Sequence, residues 1–98
     1  MSGHFAVRTT PQYERLVRDL ARAHAEFVIH QDEATTILHK DPHNRSREHN
    51  ILKLRGVRQG EGQYRLRLRR FRFRYDIYDR DVVLHACSLR REDTYRHS

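Results

Sequence analysis

The sequence predicts an α+β domain, in which a two-helix hairpin covers one face of an antiparallel sheet and leaves the other face open and basic. Residues 11–40 place apolar side chains at helical spacing, whereas residues 63–87 alternate apolar and polar side chains as strands do. Six arginines fall within Tyr64–Arg74 and alternate with apolar residues. The predicted order of elements is β-α-α-β-β-β, in a single domain over residues 1–98.

The first half of the chain accounts for both helices. Thr10 followed by Pro11 is typical of a helix start, because threonine caps the first turn and proline fits the first helical position. Pro42 ends the helical region, since the residue before a proline avoids the helical conformation. The predicted elements are a strand over Phe5–Thr9, a helix over about Pro11–Ala25, a join at Phe27–Ile29, and a helix over about His30–Lys40.

The second half is predicted to supply the rest of the sheet. Gly56, Gly60 and Gly62 indicate a flexible connection before the strands, and Asp79–Asp81 is typical of a tight turn. The predicted elements are a loop over His43–Asn50, a short strand or turn at Ile51–Leu54, strands over about Gln63–Arg69, Phe71–Tyr78 and Val82–Cys87, and a tail over Arg90–Arg96.

Alternation along these strands separates the arginines from the apolar side chains. Successive strand residues point to opposite faces, so Tyr64, Leu66 and Leu68 share one face and Arg65, Arg67 and Arg69 the other. Phe71, Phe73 and Tyr75 continue the apolar face, with Arg72 and Arg74 opposite. Residues 1–42 carry a net charge of −1 and residues 43–98 a net charge of +8. This concentrated positive charge indicates a polyanion partner, and nucleic-acid phosphate is the obvious one.

Composition excludes several other classes. Cys87 is the one cysteine, so neither an internal disulfide nor a cysteine zinc site can form, and a reducing cytoplasm fits. No window approaches the length of apolar sequence that a membrane span needs. None of the eight histidines forms an HExxH motif or an HxxxH pair within one predicted helix, so no metal is expected. We therefore expect no cofactor, no small-molecule substrate and no membrane contact.

Five short motifs together resemble the RelE/ParE superfamily of bacterial toxin–antitoxin toxins. They are Lys53-Leu-Arg-Gly56, Tyr64-Arg-Leu-Arg-Leu-Arg69, Phe71-Arg-Phe-Arg-Tyr-Asp-Ile77, Val82-Val-Leu84 and Arg90-Arg-Glu-Asp-Thr-Tyr95. The resemblance implies a RelE-like fold, a cognate acidic antitoxin as partner, and a cytoplasmic toxin. Many RelE-like members cut mRNA on the ribosome, whereas ParE-like members keep the fold and act on DNA gyrase.

The resemblance also implies roles for individual side chains. Arg65 and Arg67 match a pair of basic residues that are commonly lysines, and Arg72 matches an arginine that stabilises the transition-state phosphate. Arg90 or Arg91 matches a further phosphate-binding residue, and Tyr95 matches a tyrosine that stacks on a base or orients the phosphate. The remaining residues expected to bind phosphate are Lys53, Arg55, Arg69 and Arg74.

The general base is the open question. Metal-independent cleavage needs a base for the ribose 2′-OH, cations for the phosphorane and an acid for the leaving group. Arginine is a poor base because it stays protonated. The resemblance makes Glu48 a candidate, and His85 and His97 are candidates by their chemistry, but a loop Glu48 that neutralises nearby arginines and a structural or solvent-facing His85 are the more common cases. A ribosome-dependent mRNA endoribonuclease is the function that the sequence favours; a ParE-like gyrase inhibitor and a non-toxic RNA-binding module are the alternatives.

Overall fold

In a computed structural model that describes residues 4–90, two helices pack on one face of a five-stranded sheet. The elements are β1 (Ala6–Thr9), α1 (Pro11–Ala23), α2 (Phe27–Lys40), β2 (Ile51–Lys53), β3 (Tyr64–Leu68), β4 (Phe71–Tyr78) and β5 (Asp81–Leu89). The strands lie in the order β1-β5-β4-β3-β2. The predicted α+β architecture is confirmed, and the segment Ile51–Leu54 contributes the short strand β2.

The sheet is mixed and not wholly antiparallel as the sequence had suggested. Strands β2 to β5 are joined by antiparallel pairings, but β1 runs parallel to β5, with Val7 opposite Val82. The alternation of apolar and polar residues within a strand does not specify whether a partner strand far away in sequence runs parallel or antiparallel to it. Both helices and three strands separate β1 from β5, so no hairpin turn fixes their relative direction.

The helix boundaries follow from capping and burial. Thr10 accepts a hydrogen bond from the Tyr13 amide at 3.1 Å and Pro11 occupies the first helical position, as predicted. Helix α2 begins at Phe27, three residues before the predicted start, so the join at Phe27–Ile29 was wrong. The reason is tertiary: Phe27 is fully buried between α2 and the sheet, where its ring packs on Phe71 and Phe73. Val28 and Ile29 are exposed on the same turn.

The core lies between the helices and the apolar face of the sheet. Its buried residues are Tyr13, Phe27, Ala34, Leu38, Leu66, Phe71, Phe73, Tyr75, Val82, Leu84 and Cys87. The predicted apolar positions of β3 and β4 all contribute to this core or pack against it. The opposite face of the sheet, which we call the open face, therefore carries the alternate residues.

A β-bulge in β5 shifts this alternation at one position. Arg74 pairs with Ala86, but the next residue, Tyr75, pairs with Leu84, so His85 is the extra residue. The buried side chains of β5 are accordingly spaced as Val82, Leu84 and then Cys87. A bulge of this kind turns a side chain in a direction that regular alternation does not predict.

Candidate nucleic-acid interface

Strand register places the central arginines side by side on the open face. Arg67 pairs directly with Arg72, and Arg65 pairs with Arg74 one row away. Arg90 follows β5, and its amide donates to the Arg70 carbonyl at 2.6 Å. We call Arg65, Arg67, Arg72 and Arg90 the arginine cluster, because the charges of the last three all act on Arg65.

The arginine cluster holds positive charges that no described carboxylate neutralises. Burial lowers the pKa of Arg65, and the charges of Arg67, Arg72 and Arg90 lower it further. The Nε atoms of Arg65, Arg72 and Arg90 are buried without a hydrogen-bond partner among the described residues. Within residues 4–90, no member of the cluster forms an ion pair. Like charges on neighbouring strands are destabilising, so an anion that satisfies these groups binds favourably.

Asn50 supports one edge of the cluster. Its carbonyl oxygen accepts a hydrogen bond from the Arg67 amide at 2.9 Å, and its side-chain oxygen accepts one from Arg65 Nη2 at 3.2 Å. These contacts tie the end of the loop that precedes β2 to β3. The sequence does not identify Asn50 as part of this site, because a single asparagine in a polar loop carries no signal of such a contact.

Other arginines of the same strands have structural partners. Arg74 donates from Nε to the Gly62 carbonyl at 2.8 Å and from Nη2 to the Glu61 carbonyl at 3.1 Å. Arg70 Nη2 lies 2.8 Å from Glu26 Oε2, which ties the β3–β4 turn to the connection between the helices. Arg69 occupies that turn with a φ of 58°. Arg74 and Arg69 thus lie near the arginine cluster without being part of it.

Lys53 and Arg55 are placed away from the cluster. Lys53 pairs with Tyr64, and its ammonium group lies 5.7 Å from the centre of the Tyr64 ring, on the face that carries the apolar residues. Arg55 is exposed in the turn that follows β2. The structure therefore does not bring these two predicted phosphate-binding residues to the cluster.

The open face also contains a buried carboxylate, which is not evident from the sequence. Asp76 is fully buried and accepts hydrogen bonds from the amides of Gly62 and Gln63, each at 2.9 Å. His85 Nε2 lies 2.8 Å from Asp76 Oδ2, although this contact lacks the angle of a hydrogen bond. The sequence shows Asp76 as an acidic residue near the end of an arginine-rich strand. Its contact with His85 cannot be predicted from the sequence, because the bulge reorients that histidine.

Glu48 occupies a different part of the surface. It is exposed in the loop before β2 and lines an open cleft at the end of α2 with Lys40 and Arg45. Its amide donates to Ser46 Oγ at 3.2 Å. Nearby, Asp41 accepts hydrogen bonds from Arg45 and Ser46. Burial would raise the pKa of Asp41, but these hydrogen bonds outweigh burial and lower it.

Three predicted residues, Arg91, Tyr95 and His97, lie outside the described residues. Among residues 4–90, no group of three His, Cys, Asp or Glu side chains could hold a metal ion. No helix in the same part of the chain is long and apolar enough to cross a membrane.

A solved structure identifies the fold. A chain in the crystal structure of the archaeal RelE–RelB complex from Pyrococcus horikoshii OT3 superposes with a TM-score of 0.60. The superposition covers 91% of this chain and 98% of that one, at 22% sequence identity. The chain has the RelE-like fold. No protein-family model matches the sequence, and no curated protein matches it either. The RelE-like assignment therefore depends on the fold, and the arginine cluster lies on the open face of that fold.

Proposed function

We propose that the chain is the toxin of a toxin–antitoxin pair, and that its arginine cluster binds the phosphate backbone of mRNA for cleavage. The observation that carries this proposal is the set of three buried Nε groups without partners, in a cluster where no described carboxylate forms an ion pair. Guanidinium groups bind phosphate oxygens through paired hydrogen bonds and remain charged at every physiological pH.

The proposed reaction is an internal transfer at the RNA phosphate. The ribose 2′-oxygen attacks the adjacent phosphorus, and the developing charge on the phosphorane is stabilised by Arg65, Arg67 and Arg72. Such preorganised positive charge is often the largest single contribution to a rate enhancement. No cofactor is needed, because the nucleophile belongs to the substrate.

The ribosome is proposed to position the mRNA. Holding the 2′-oxygen in line with the phosphorus lowers the activation barrier, because the entropy of alignment is then lost on binding and not in the reaction step. A translating ribosome provides this alignment by fixing the mRNA. We therefore propose that the protein acts in the cytoplasm and cuts mRNA on the ribosome far faster than free RNA.

The proposed protein partner is an acidic antitoxin. The structural neighbour was crystallised as a RelE–RelB complex. In this chain, an acidic segment that folds on binding would place carboxylates against the arginine cluster and exclude RNA from it. Inhibition would then depend on charge and weaken as salt concentration rises.

Primer extension on a reporter mRNA in a cell-free translation reaction tests the proposal. We expect cuts at fixed codon positions with translating ribosomes, and intact mRNA without ribosomes. Arg72→Ala should lower the cleavage rate by about 10²–10³-fold, the typical effect of removing one preorganised charge-stabilising group. Arg18→Ala, which removes an exposed arginine of α1, is the matched control and should cleave normally.

Two results would overturn the proposal. Intact mRNA in the presence of translating ribosomes would exclude ribosome-dependent cleavage. Full activity of Arg72→Ala would show that cleavage, if it occurs, does not use the arginine cluster. Circular dichroism of each variant distinguishes a lost charge from a lost fold.

A further inference from the structure

Asp76 is the one fully buried charged residue among those described; it anchors the loop between β2 and β3, and it also faces a histidine. Burying a carboxylate is costly unless hydrogen bonds and a cation compensate. Two backbone amides supply the hydrogen bonds, and the imidazole of His85 faces the same oxygen that the Gly62 amide contacts. The arrangement is thus a carboxylate fixed by the backbone, with a histidine held against it.

The accessible part of His85 is not the Nε2 atom that contacts the carboxylate. The Nε2 atom is buried against Asp76, whereas the side chain as a whole retains 26% of its exposure. A carboxylate beside Nε2 favours the tautomer with its proton on Nε2, which leaves the lone pair on Nδ1. Histidine held in this way by a buried carboxylate is the arrangement by which many enzymes prepare a general base.

The location of His85 relates it to the arginine cluster. His85 is the bulged residue between Leu84 and Ala86, and Ala86 pairs with Arg74. Arg72, which pairs with Ser88, is one same-face row further along the sheet. His85 is three residues from Ser88 along β5, about 10 Å, so a nucleotide whose phosphate is bound by the long Arg72 side chain lies within reach of His85.

We propose that His85 is the general base of the cleavage reaction and that Asp76 is its positioning residue; this inference rests on the proposed RNA cleavage. Nδ1 of His85 takes the proton of the ribose 2′-OH as the 2′-oxygen forms its bond to phosphorus. The bond from phosphorus to the 5′-oxygen breaks, and water protonates that oxygen. The products are a 2′,3′-cyclic phosphate and a 5′-hydroxyl, and the imidazolium returns its proton to solvent.

Asp76 contributes in two ways. It fixes the orientation of the ring before substrate binds, and its charge stabilises the imidazolium that forms when His85 accepts the proton. The loop between β2 and β3, whose amides contact Asp76, is itself held by Arg74 of β4, which donates to the Gly62 and Glu61 carbonyls. Those hydrogen bonds keep the loop amides in contact with Asp76.

The test uses the full-length protein in the cell-free translation assay, with RNA binding measured in parallel. His85→Gln should lower the cleavage rate by about 10²–10⁴-fold, the range for loss of a general base, while RNA affinity changes less than about 2-fold. His39→Gln, on the helical side of the protein, is the matched control. His85→Ala should regain part of its activity when free imidazole is added, which a purely structural histidine would not show.

Asp76→Asn tests the positioning role. In the wild-type background it should lower the cleavage rate and change the dependence of the rate on pH in the neutral range. In the His85→Gln background it should have no further effect on the rate, because the two residues act as a unit. If Asp76→Asn fails to fold, the His85 variants and the imidazole rescue decide the result.

The outcomes separate the two proposals. If wild-type protein cuts mRNA and His85→Gln cuts it equally fast, the assignment of His85 is wrong and the proposed function stands. If Arg72→Ala and wild type both leave mRNA intact, the proposed function fails and the base assignment fails with it. Both the proposed function and the His85 assignment are supported by three results together. His85→Gln loses cleavage, its RNA binding is unchanged, and imidazole rescues His85→Ala.

Discussion

The guanidinium groups of β3 and β4 differ in whether the protein itself satisfies them. Arg74 donates two hydrogen bonds to loop carbonyls, whereas Arg72 has a buried Nε without a described partner. The hydrogen bonds of Arg74 stabilise the fold. The charge of Arg72 is repelled by the neighbouring arginines, and a bound anion would reduce that repulsion. The two residues are neighbours on the same strand face, so they form a matched pair for substitution.

We expect Arg74→Gln to lower the free energy of unfolding by about 1 kcal/mol, since it removes hydrogen bonds from a charged donor. Arg72→Gln should leave the free energy of unfolding unchanged or raise it, because it removes a repulsive charge. Urea denaturation of both variants measures the difference. Equal destabilisation by the two substitutions would contradict this division.

The sequence predicted the arginine cluster better than it predicted the other site residues. Period-two alternation placed Arg65, Arg67 and Arg72 on one face, as the structure has them. The alternation of apolar and polar residues could not distinguish Arg74 from Arg72. The difference arises because Arg74 donates to a carbonyl in a loop twelve residues away in sequence. The contact between Asp76 and His85 depends on the bulge, whose sequence signal is the three-residue step between Leu84 and Cys87.

At the scale of elements, the connection between β2 and β3 is an ordered loop. Leu54 and Gln63 are joined by a backbone hydrogen bond of 2.7 Å, and Gln59 donates to the Ile77 carbonyl at 2.6 Å. The sequence had indicated a flexible connection from its glycines. Those glycines instead permit positive φ angles, which let the loop fold back on β4.

Gly62 should tolerate a side chain far less well than Gly56. Both have positive φ, so alanine at either position costs about 1–2 kcal/mol of backbone strain. A Cβ on Gly62 would also lie 3.0 Å from the Cβ of Arg74, whereas one on Gly56 would meet nothing within 4 Å. We therefore expect Gly62→Ala to lower the free energy of unfolding more than Gly56→Ala, as measured by urea denaturation.

The same pair of variants has a functional readout. Gly62 supplies one of the amides that hold Asp76, so Gly62→Ala should also lower the cleavage rate, and Gly56→Ala should not. A Gly62→Ala protein as stable and as active as Gly56→Ala would show that the loop does not support the open face in this way.

The sequence predicted an element correctly where local chemistry sets its boundaries, and it failed where tertiary packing sets its boundaries or direction. The Thr10–Pro11 start of α1 and the Phe71–Tyr78 strand were predicted correctly, because capping and alternation are local. The start of α2 was misplaced because Phe27 is helical only through its burial against Phe71 and Phe73. The direction of β1 could not be predicted from the sequence either, because its partner strand is more than seventy residues away.

For the whole molecule, the arginine cluster should make RNA binding strongly dependent on salt. Single-stranded nucleic acid releases about 0.7 counterions for each phosphate neutralised, so four arginines give a slope of about −3 in a plot of log K against log salt concentration. Arg72→Ala should reduce the magnitude of that slope by about 0.7, and Arg18→Ala should leave it unchanged. Fluorescence anisotropy with a short labelled RNA measures both, and an unchanged slope for Arg72→Ala would place the phosphates elsewhere.

The core should make the fold sensitive to alkaline pH. Burial raises the pKa of Cys87 from 9.0 to about 12, and it raises the pKa of Tyr13 and of Tyr75 above 10.0. Above about pH 9 the unfolded chain loses these protons and the folded chain keeps them, so the free energy of unfolding falls as pH rises. Urea denaturation at about pH 8 and about pH 10 measures this loss. Equal stability at both values would contradict the burial of these groups.

The parallel pairing of β1 with β5 has a consequence for synthesis. Strand β5 lies between β1 and β4 and contacts α1, yet it is the last described strand to leave the ribosome. Until it emerges, β1 and α1 lack the strand on which they pack, and neither His85 nor Arg90 is present. A nascent chain therefore cannot assemble the open face before β5 has emerged, so under the proposed function it cannot cleave mRNA until then.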